Sequence, residues 1–332
     1  MANLTKVPKS RVLASPTEDL FKAGQRYLGA QKSPATQRAY NLAWKNYLAW
    51  IQAQNSRRKP DAKLSSLPTT PETLAMYLAE LGKAGRKAAS IELILVAISQ
   101  MHEEKGLQSP RSAPVVRGML KGIKRIHGTS QTQKSPLLPE HVRKIVKTVR
   151  DSARARRDKA LLALGLCLGS RRSELVSLNV EDLEFQERAL IVTLKRSKTD
   201  QEGHGRKIGV MRDPDKTICP VELVRKWLET AELKKGPIFL GLNWQNTLSE
   251  KRLDGRDVAR IVKKYAAQIG LDPKLYSGHS LRAGLVTAAH RNKAAKTNIG
   301  KQTGHKGDKM IDRYIRDAEI LVNNVTEGLM SS

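Results

Sequence analysis

Cysteine is scarce. Cys167 and Cys219 are the only two in 332 residues, so neither a disulfide framework nor a cysteine-ligated zinc site is expected. Aromatic residues make up 4%, which argues against a single-strand binder built on stacked rings. No apolar run reaches about 18 residues, so no transmembrane helix and no membrane partner are expected. Met1 to Ser10 lacks the apolar stretch of a signal peptide. Acids are few as well: 32 Asp and Glu stand against 60 Lys and Arg, a net charge of +28. With 39% hydrophobic residues the chain still folds, which excludes a disordered polycation. The expectation is a cytoplasmic, two-domain protein whose partner is a polyanion.

The charge is not a tail. Residues 1–128 carry 21 basic and 8 acidic residues, a net of +13, and residues 129–332 carry 39 and 24, a net of +15. Phosphate neutralisation with counterion release rewards a distribution of this kind, so DNA or RNA is the favoured partner. An anionic membrane surface is disfavoured, because no lipidation motif or strongly apolar amphipathic face accompanies the charge.

Along the chain, residues 1–15 mix Lys, Pro and Ser without period and read as a flexible arm. Residues 16–127 read as helices. Ser33-Pro34 and Thr70-Pro71 are start signals, a hydroxyl N-cap followed by proline in the first turn. A third helix runs over 90–104. Over 114–127 Val116, Met119, Leu120, Ile123 and Ile126 line one side, while Arg117, Lys121, Lys124 and Arg125 line the other with no acid among them. Residues 128–137 are polar at their start and read as a linker. Beyond it, helices are expected over 139–149 and 153–168. The period then changes: 189–194 and 207–210 are β-rich, joined by a polar tip, which predicts a hairpin. From Cys219 onward helices dominate again. The fold class is mainly α in two domains, a helical bundle followed by an α+β domain with a small antiparallel sheet.

Metal-free chemistry on a phosphodiester needs a nucleophile, cations for the growing charge, a proton acceptor and a proton donor. Residues 138–332 offer each. Arg171 opens a helix with Glu174 one turn on, where a carboxylate orients a guanidinium. His279 and Arg282 are three apart and share a helix face. Gly304-His305 is followed nine residues later by Tyr314, which lies among Arg313 and Arg316, where a positive field favours its anion. Lys198, within Arg196-Ser197-Lys198-Thr199, sits at the hairpin tip, with Lys195 and Lys207 as rivals on spacing alone. Singly each has an ordinary structural reading; it is their order that is specific.

That order resembles the tyrosine recombinase (phage integrase) family over residues 138–330, and the helical region ahead of it is similar to that family's SAM-like core-binding domain. The stretches at 196–199, 277–280 and 313–316 resemble the simple Cre-type members most. The resemblance implies that Tyr314 is the nucleophile of a 3′-phosphotyrosyl intermediate. Arg171 and Arg282 then clamp the non-bridging oxygens, His279 accepts a proton or donates to the phosphate, and His305 donates to a non-bridging oxygen. Lys198 is the general acid, with Glu174 behind Arg171. It implies no cofactor, metal or ATP. It also implies strand exchange through a Holliday junction at paired inverted repeats, by four protomers linked through a terminal helix over about 318–330. Two departures stand out: Ala283-Gly284 follows Arg282 where many relatives carry His-Thr or His-Ser, and position 305 is His where Cre carries Trp.

Double-stranded DNA is the expected partner, and a nucleoid-associated, cytoplasmic location goes with it. Arg38, Lys45, Arg86, Lys87, Arg117, Lys121, Lys124 and Arg125 in the first domain are the candidate contacts, with Arg256 and Arg260 in the second. Two rival functions fit the same residues: a DNA-binding architectural protein that kept the fold and lost the chemistry, and a type IB topoisomerase or telomere resolvase.

Overall fold

In the computed structural model, which describes residues 16–129, 133–195, 205–305, 307–319 and 326, helices begin where hydroxyl–proline pairs stand in the sequence. After α1 (Pro16–Ala30), α2 (Pro34–Asn55) starts with Ser33 Oγ accepting the Thr36 amide at 3.2 Å. Likewise α3 (Pro71–Lys83) starts with Thr70 Oγ1 accepting the Thr73 amide at 3.2 Å. Then come α4 (Ala88–Glu103) and α5 (Pro114–His127). The chain divides into two compact units, residues 1–131 and 132–332, and residues 1–15 lie outside the described region.

In the first unit α2 packs on α4 and α3 on α5. The core between them is Tyr47, Leu74, Leu78, Ile91, Leu95, Ile98, Val116 and Ile123. The α5 pattern held except at Ile126, which is 80% exposed. A period of 3.6 carries the seam from Val116 through Leu120 and Ile123 to His127, so Ile126 falls on the flank. The opposite face of α5 is less purely basic than its own sequence shows, because Glu92 of α4 reaches Lys124 and pairs with it. An acid 32 positions away is invisible to a helical wheel.

The second unit is built on α7 (Ala153–Leu168), which follows α6 (Pro139–Thr148) and is buried on nearly every side. A helix wrapped all round shows no amphipathic stripe. It packs against α9 (Pro220–Thr230) and α11 (His279–Arg291). Between α7 and α9 lie the short α8 (Arg172–Ser177) and an antiparallel sheet, β1 (Leu183–Phe185), β2 (Ala189–Leu194) and β3 (Arg206–Met211), in that order. Leu190 pairs with Val210 and Val192 with Ile208, which puts one apolar face on the core. The predicted hairpin is therefore present, with β1 as a third strand too short to show a period.

Helices dominate after Cys219, as expected, but the break that begins near Gly236-Pro237 holds strands that the sequence did not announce. A second hairpin, β4 (Leu240–Leu242) with β5 (Leu248–Arg252), interrupts the helices before α10 (Gly255–Gln268). β4 is three residues long, too short for alternation to be seen, and the five residues of β5 hold a single apolar one, Leu248. The helices α12 (Lys296–Thr303) and α13 (Asp308–Glu319) follow α11. Residues 320–325 and 327–332, most of the expected terminal helix, lie outside the described region, as do 130–132 of the linker. Leu137 is fully buried, and its amide donates to the Ser280 carbonyl at 2.9 Å.

That segment accounts for the glycine at 284. A Cβ on Gly284 would lie 2.0 Å from the Leu137 carbonyl oxygen, and a backbone atom cannot swing aside. Gly284→Ala is expected to destabilise the second unit by about 3 kcal/mol or more, which lowers its melting temperature by roughly 6–12 °C. Calorimetry showing no change would mean that α11 does not sit this close to the segment at 137.

Candidate active site

Two turns in the fold bring the site together. Helix α7 ends at Gly169, whose φ of +52° is the left-handed C-cap conformation. A Cβ there would meet Leu285 Cδ2 at 2.5 Å. The chain then reverses, and Arg171 becomes the N-cap of α8. Glu174, one turn on and buried, accepts the Arg171 amide at 3.0 Å and its Nη1 at 2.6 Å. One carboxylate thus fixes both the backbone and the guanidinium of Arg171, which is the orienting role expected for it. The same bond occupies the α8 N-terminus, so the anion-binding part of this segment is the Arg171 side chain itself.

Helix α11 supplies the second pair. His279 is its first residue and Arg282 sits one turn later. Arg282 is 2% exposed. Its Nη1 donates to the Gly169 carbonyl at 2.7 Å and to the Thr303 carbonyl at 2.6 Å, and its Nε to His305 Nε2 at 3.2 Å. Burial, and next the Arg171 charge, draws its pKa down to about 10. The C-cap carbonyl of one helix and the last turn of another therefore aim one guanidinium.

The second turn is at Gly304, where φ is +72° and α12 ends. His305 follows. Its Nδ1 lies 2.7 Å from Thr303 Oγ1, which donates to the Ile299 carbonyl at 2.7 Å. Since Thr303 spends its proton on Ile299, Nδ1–H is the donor and Nε2 holds the lone pair that faces Arg282. Burial first, then the Arg282 and Arg171 charges, push the His305 pKa down to about 4. In this arrangement His305 accepts from Arg282, whereas the family resemblance implies that it donates to an oxygen of the substrate.

Tyr314 of α13 closes the site. It is 7% exposed and packs with Ala283, Val286, Ile299 and Ile311. Its hydroxyl hydrogen-bonds His279 Nε2, and the His305 ring lies 6.2 Å away between centroids. The positive field expected to favour its anion is present, but burial outweighs it. Desolvation raises the Tyr314 pKa, with Arg282 and Arg313 opposing. For His279, desolvation lowers the pKa and Arg282, Arg171 and Arg172 lower it further. The two partners are thus pushed apart: a tyrosine that keeps its proton faces an imidazole that lacks one.

The structure brings together Arg171, Glu174, His279, Arg282, His305 and Tyr314, six positions spread over 144 residues of sequence. Lys198 lies outside the described residues. Of its rivals, Lys195 is paired with the buried carboxylate of Asp182 at 2.6 Å, and Lys207 is exposed on β3. Sequence reasoning missed Arg206, which stands beside Glu174 at 3.6 Å; no local spacing links it to its partners. Among the described residues no three His, Cys, Asp or Glu side chains lie together as a metal site, and no helix is long and apolar enough to cross a membrane.

The expected DNA contacts differ in how free they are. Arg38, Lys45, Arg86, Lys87, Arg117, Lys121 and Arg125 are exposed on the first unit. Lys124 is engaged by Glu92. On the second unit Arg256 pairs with Asp254 at 3.1 Å and Arg260 with Asp257 at 2.8 Å, although both side chains are largely exposed. Exposed ion pairs of this kind are weak and exchange readily for a phosphate.

Comparison with known proteins gives a consistent picture. Residues 136–319 match the Phage integrase family. An integrase/recombinase XerD homologue of Selenomonas ruminantium is 35% identical over 92% of this chain and 89% of its own length. A tyrosine recombinase of Synechococcus elongatus is 28% identical over 87% and 86%. Among solved structures, the XerH site-specific recombinase bound to a palindromic difH substrate superposes with a TM-score of 0.60, at 16% identity over 97% of this chain and 90% of that one. A lambda integrase tetramer bound to a Holliday junction superposes with a TM-score of 0.53, at 18% identity over 90% and 76%.

Proposed function

This chain belongs to the phage integrase family, and from that premise we propose that it is a tyrosine site-specific recombinase whose chemistry is carried by Tyr314. The observation that carries the assignment is the Tyr314 hydroxyl on His279 Nε2, beside the two guanidinium groups of Arg171 and Arg282. The Tyr314 oxygen attacks the scissile phosphorus and its proton passes to His279. The bond from phosphorus to the 5′ oxygen breaks, and that oxygen leaves with a proton from Lys198. A 3′-phosphotyrosyl bond and a free 5′-hydroxyl result. The reverse reaction, with the 5′-hydroxyl of a second strand, rejoins DNA and forms a Holliday junction. Because one phosphodiester is exchanged for another, the bond energy is kept and neither metal nor ATP is required.

Bidentate guanidinium contacts suit the pentacoordinate state, which carries more negative charge on the non-bridging oxygens than the ground state. Each such donor contributes on the order of 10²–10³ in rate. His305 steadies Arg282 before the substrate arrives and donates to a non-bridging oxygen once the phosphate charge draws a proton onto Nε2. Duplex DNA is the partner, read and gripped by the exposed cations of both units. XerH on difH and lambda integrase as a tetramer on a Holliday junction support a homotetramer on paired sites; that 318–330 links the protomers is what the family resemblance implies.

The test is a covalent trap. The protein is incubated in EDTA with supercoiled DNA carrying the sequence that flanks its own gene, then quenched in SDS. An EDTA-resistant protein–DNA adduct is expected. If salt-sensitive binding is intact but neither this DNA nor a library of genomic fragments gives an adduct, the chain is a DNA-binding protein without the chemistry.

The pH dependence follows from His279, which must be neutral to accept the tyrosine proton and whose pKa is lowered by burial and by the Arg282, Arg171 and Arg172 charges. Protonation is therefore lost as pH rises through values below the ordinary histidine range. Single-turnover cleavage is expected to be flat from about pH 7 to 8 and to fall only below about pH 6.5. An acid limb centred above neutrality would show that His279 is not the proton acceptor.

A further inference from the structure

Arg206 has no part in the chemistry just described, yet it stands where the two halves of the site meet. It is the first residue of β3, paired with Leu194 and preceded by Gly205 at a φ of +68°. Its side chain is 21% exposed. Nη1 donates to the Gln302 carbonyl at 3.2 Å and lies 3.5 Å from that of Lys301, both in the last turn of α12. Nη2 is 3.6 Å from Glu174 Oε2. The guanidinium lies flat against the turn that carries His305: a Cβ on Gly304 would be 2.3 Å from Nη1 and 2.7 Å from Cζ.

We propose that Arg206 is a positioning residue of the recombinase site, acting by clamping the 301–305 turn onto β3 so that His305 meets Arg282. Two features separate this from a merely structural arginine. Nε and Nη2 are buried and make no hydrogen bond among the described residues, and an unmet buried donor is costly. An ion pair buried beside a second arginine is also a poor way to gain stability, since a well-packed apolar side chain does as well or better. What the guanidinium supplies that an apolar group cannot is a directed donor, Nη1, to the α12 carbonyls, with its charge held near Glu174. The sequence places it straight after the hairpin tip, so β3 delivers it at a set register.

The inference rests on the recombinase reading for its consequence but not for its geometry, and the test separates the two. Amide hydrogen exchange is measured in the full chain without DNA for wild type, R206K and R206M. Lysine keeps the charge but cannot span Glu174 and the carbonyls, and it guards against a methionine variant that fails to fold. In R206K the amides of Gly304 and His305, which donate to the Gly300 carbonyl at 2.7 and 3.2 Å, are expected to exchange about tenfold faster while α7 amides stay unchanged. Unchanged exchange at 304 and 305, or an equal rise throughout the unit, overturns the proposal.

Cleavage is then measured on any DNA that gives the wild-type adduct. R206K is expected to cleave about tenfold or more slowly with DNA affinity unchanged, and R206K/H305A to match H305A alone, since a residue acting through His305 has no effect once His305 is gone. Additive losses overturn the proposal. If wild type forms no adduct while R206K still loosens the turn, the positioning stands and the recombinase reading fails.

Discussion

Tyr314→Phe is expected to form no covalent adduct with DNA, to yield no Holliday junction, and to bind DNA as wild type does. Phenylalanine keeps the ring that packs on Ala283, Val286, Ile299 and Ile311 and removes only the hydroxyl that meets His279. Losing one hydrogen bond costs about 1 kcal/mol, so the fold survives and the melting temperature moves by a few degrees. The chemistry does not survive, because a phenyl ring has no nucleophilic atom; removal of a nucleophile costs on the order of 10⁶ in rate where a residual route exists, and here none is available. Affinity should keep its salt dependence, which comes from phosphate neutralisation by the exposed cations. The measurement is SDS-resistant adduct alongside equilibrium binding at two salt concentrations. An adduct that persists in the variant would place the nucleophile elsewhere and dissolve the assignment. Loss of adduct with loss of binding would say only that the fold had been damaged, and the melting curve distinguishes the two.

Arg282→Ala should cost both activity and stability. Its guanidinium donates to the carbonyls of Gly169 and Thr303. Removing it leaves two buried acceptors unmet, at about 1–3 kcal/mol each, and opens a cavity below Tyr314. Unfolding free energy is expected to fall by roughly 3 kcal/mol. The clamp on the transition state goes as well, worth about 10³ in single-turnover cleavage. Arg282→Lys keeps the charge but lacks the planar fork, so it should recover much of the stability and little of the rate. Because Arg282 lowers the pKa of both His279 and His305, the acid limb of the alanine variant should move to higher pH. An alanine variant that cleaves within about tenfold of wild type would remove Arg282 from the phosphate clamp, whatever its melting temperature.

How far the sequence reached depends on the range of the interaction. The Ser33 and Thr70 caps, the one-turn spacing of His279 and Arg282, and the Glu174 contact with Arg171 are all settled within four residues, and all appear in the structure as read. The hairpin of β2 and β3 is legible because β-branched and apolar residues crowd 189–194 and 207–210 on either side of a polar tip. The β4–β5 hairpin is not, since three residues cannot display a period. Glu92 against Lys124 and Arg206 against Gly304 went unseen for a different reason. Each joins elements far apart in sequence, and no pattern along the chain marks the meeting.

Tyr314 shows the same limit in electrostatics. Its basic neighbours are visible in the sequence and argue for an anion, but desolvation depends on the whole shell of protein around the ring, and that shell raises the pKa. The position of Gly284 under the Leu137 carbonyl is likewise a matter of two segments brought together. What the sequence determined by itself, then, was the helix starts of the first unit, the basic charge spread over both halves and the order of the candidate side chains, because propensity, net charge and residue chemistry are local or additive. What only the tertiary structure decided was which of those side chains meet, which are buried, and which proton each one holds. Those depend on distances and dielectric surroundings created only when α7, α11, α12 and α13 pack.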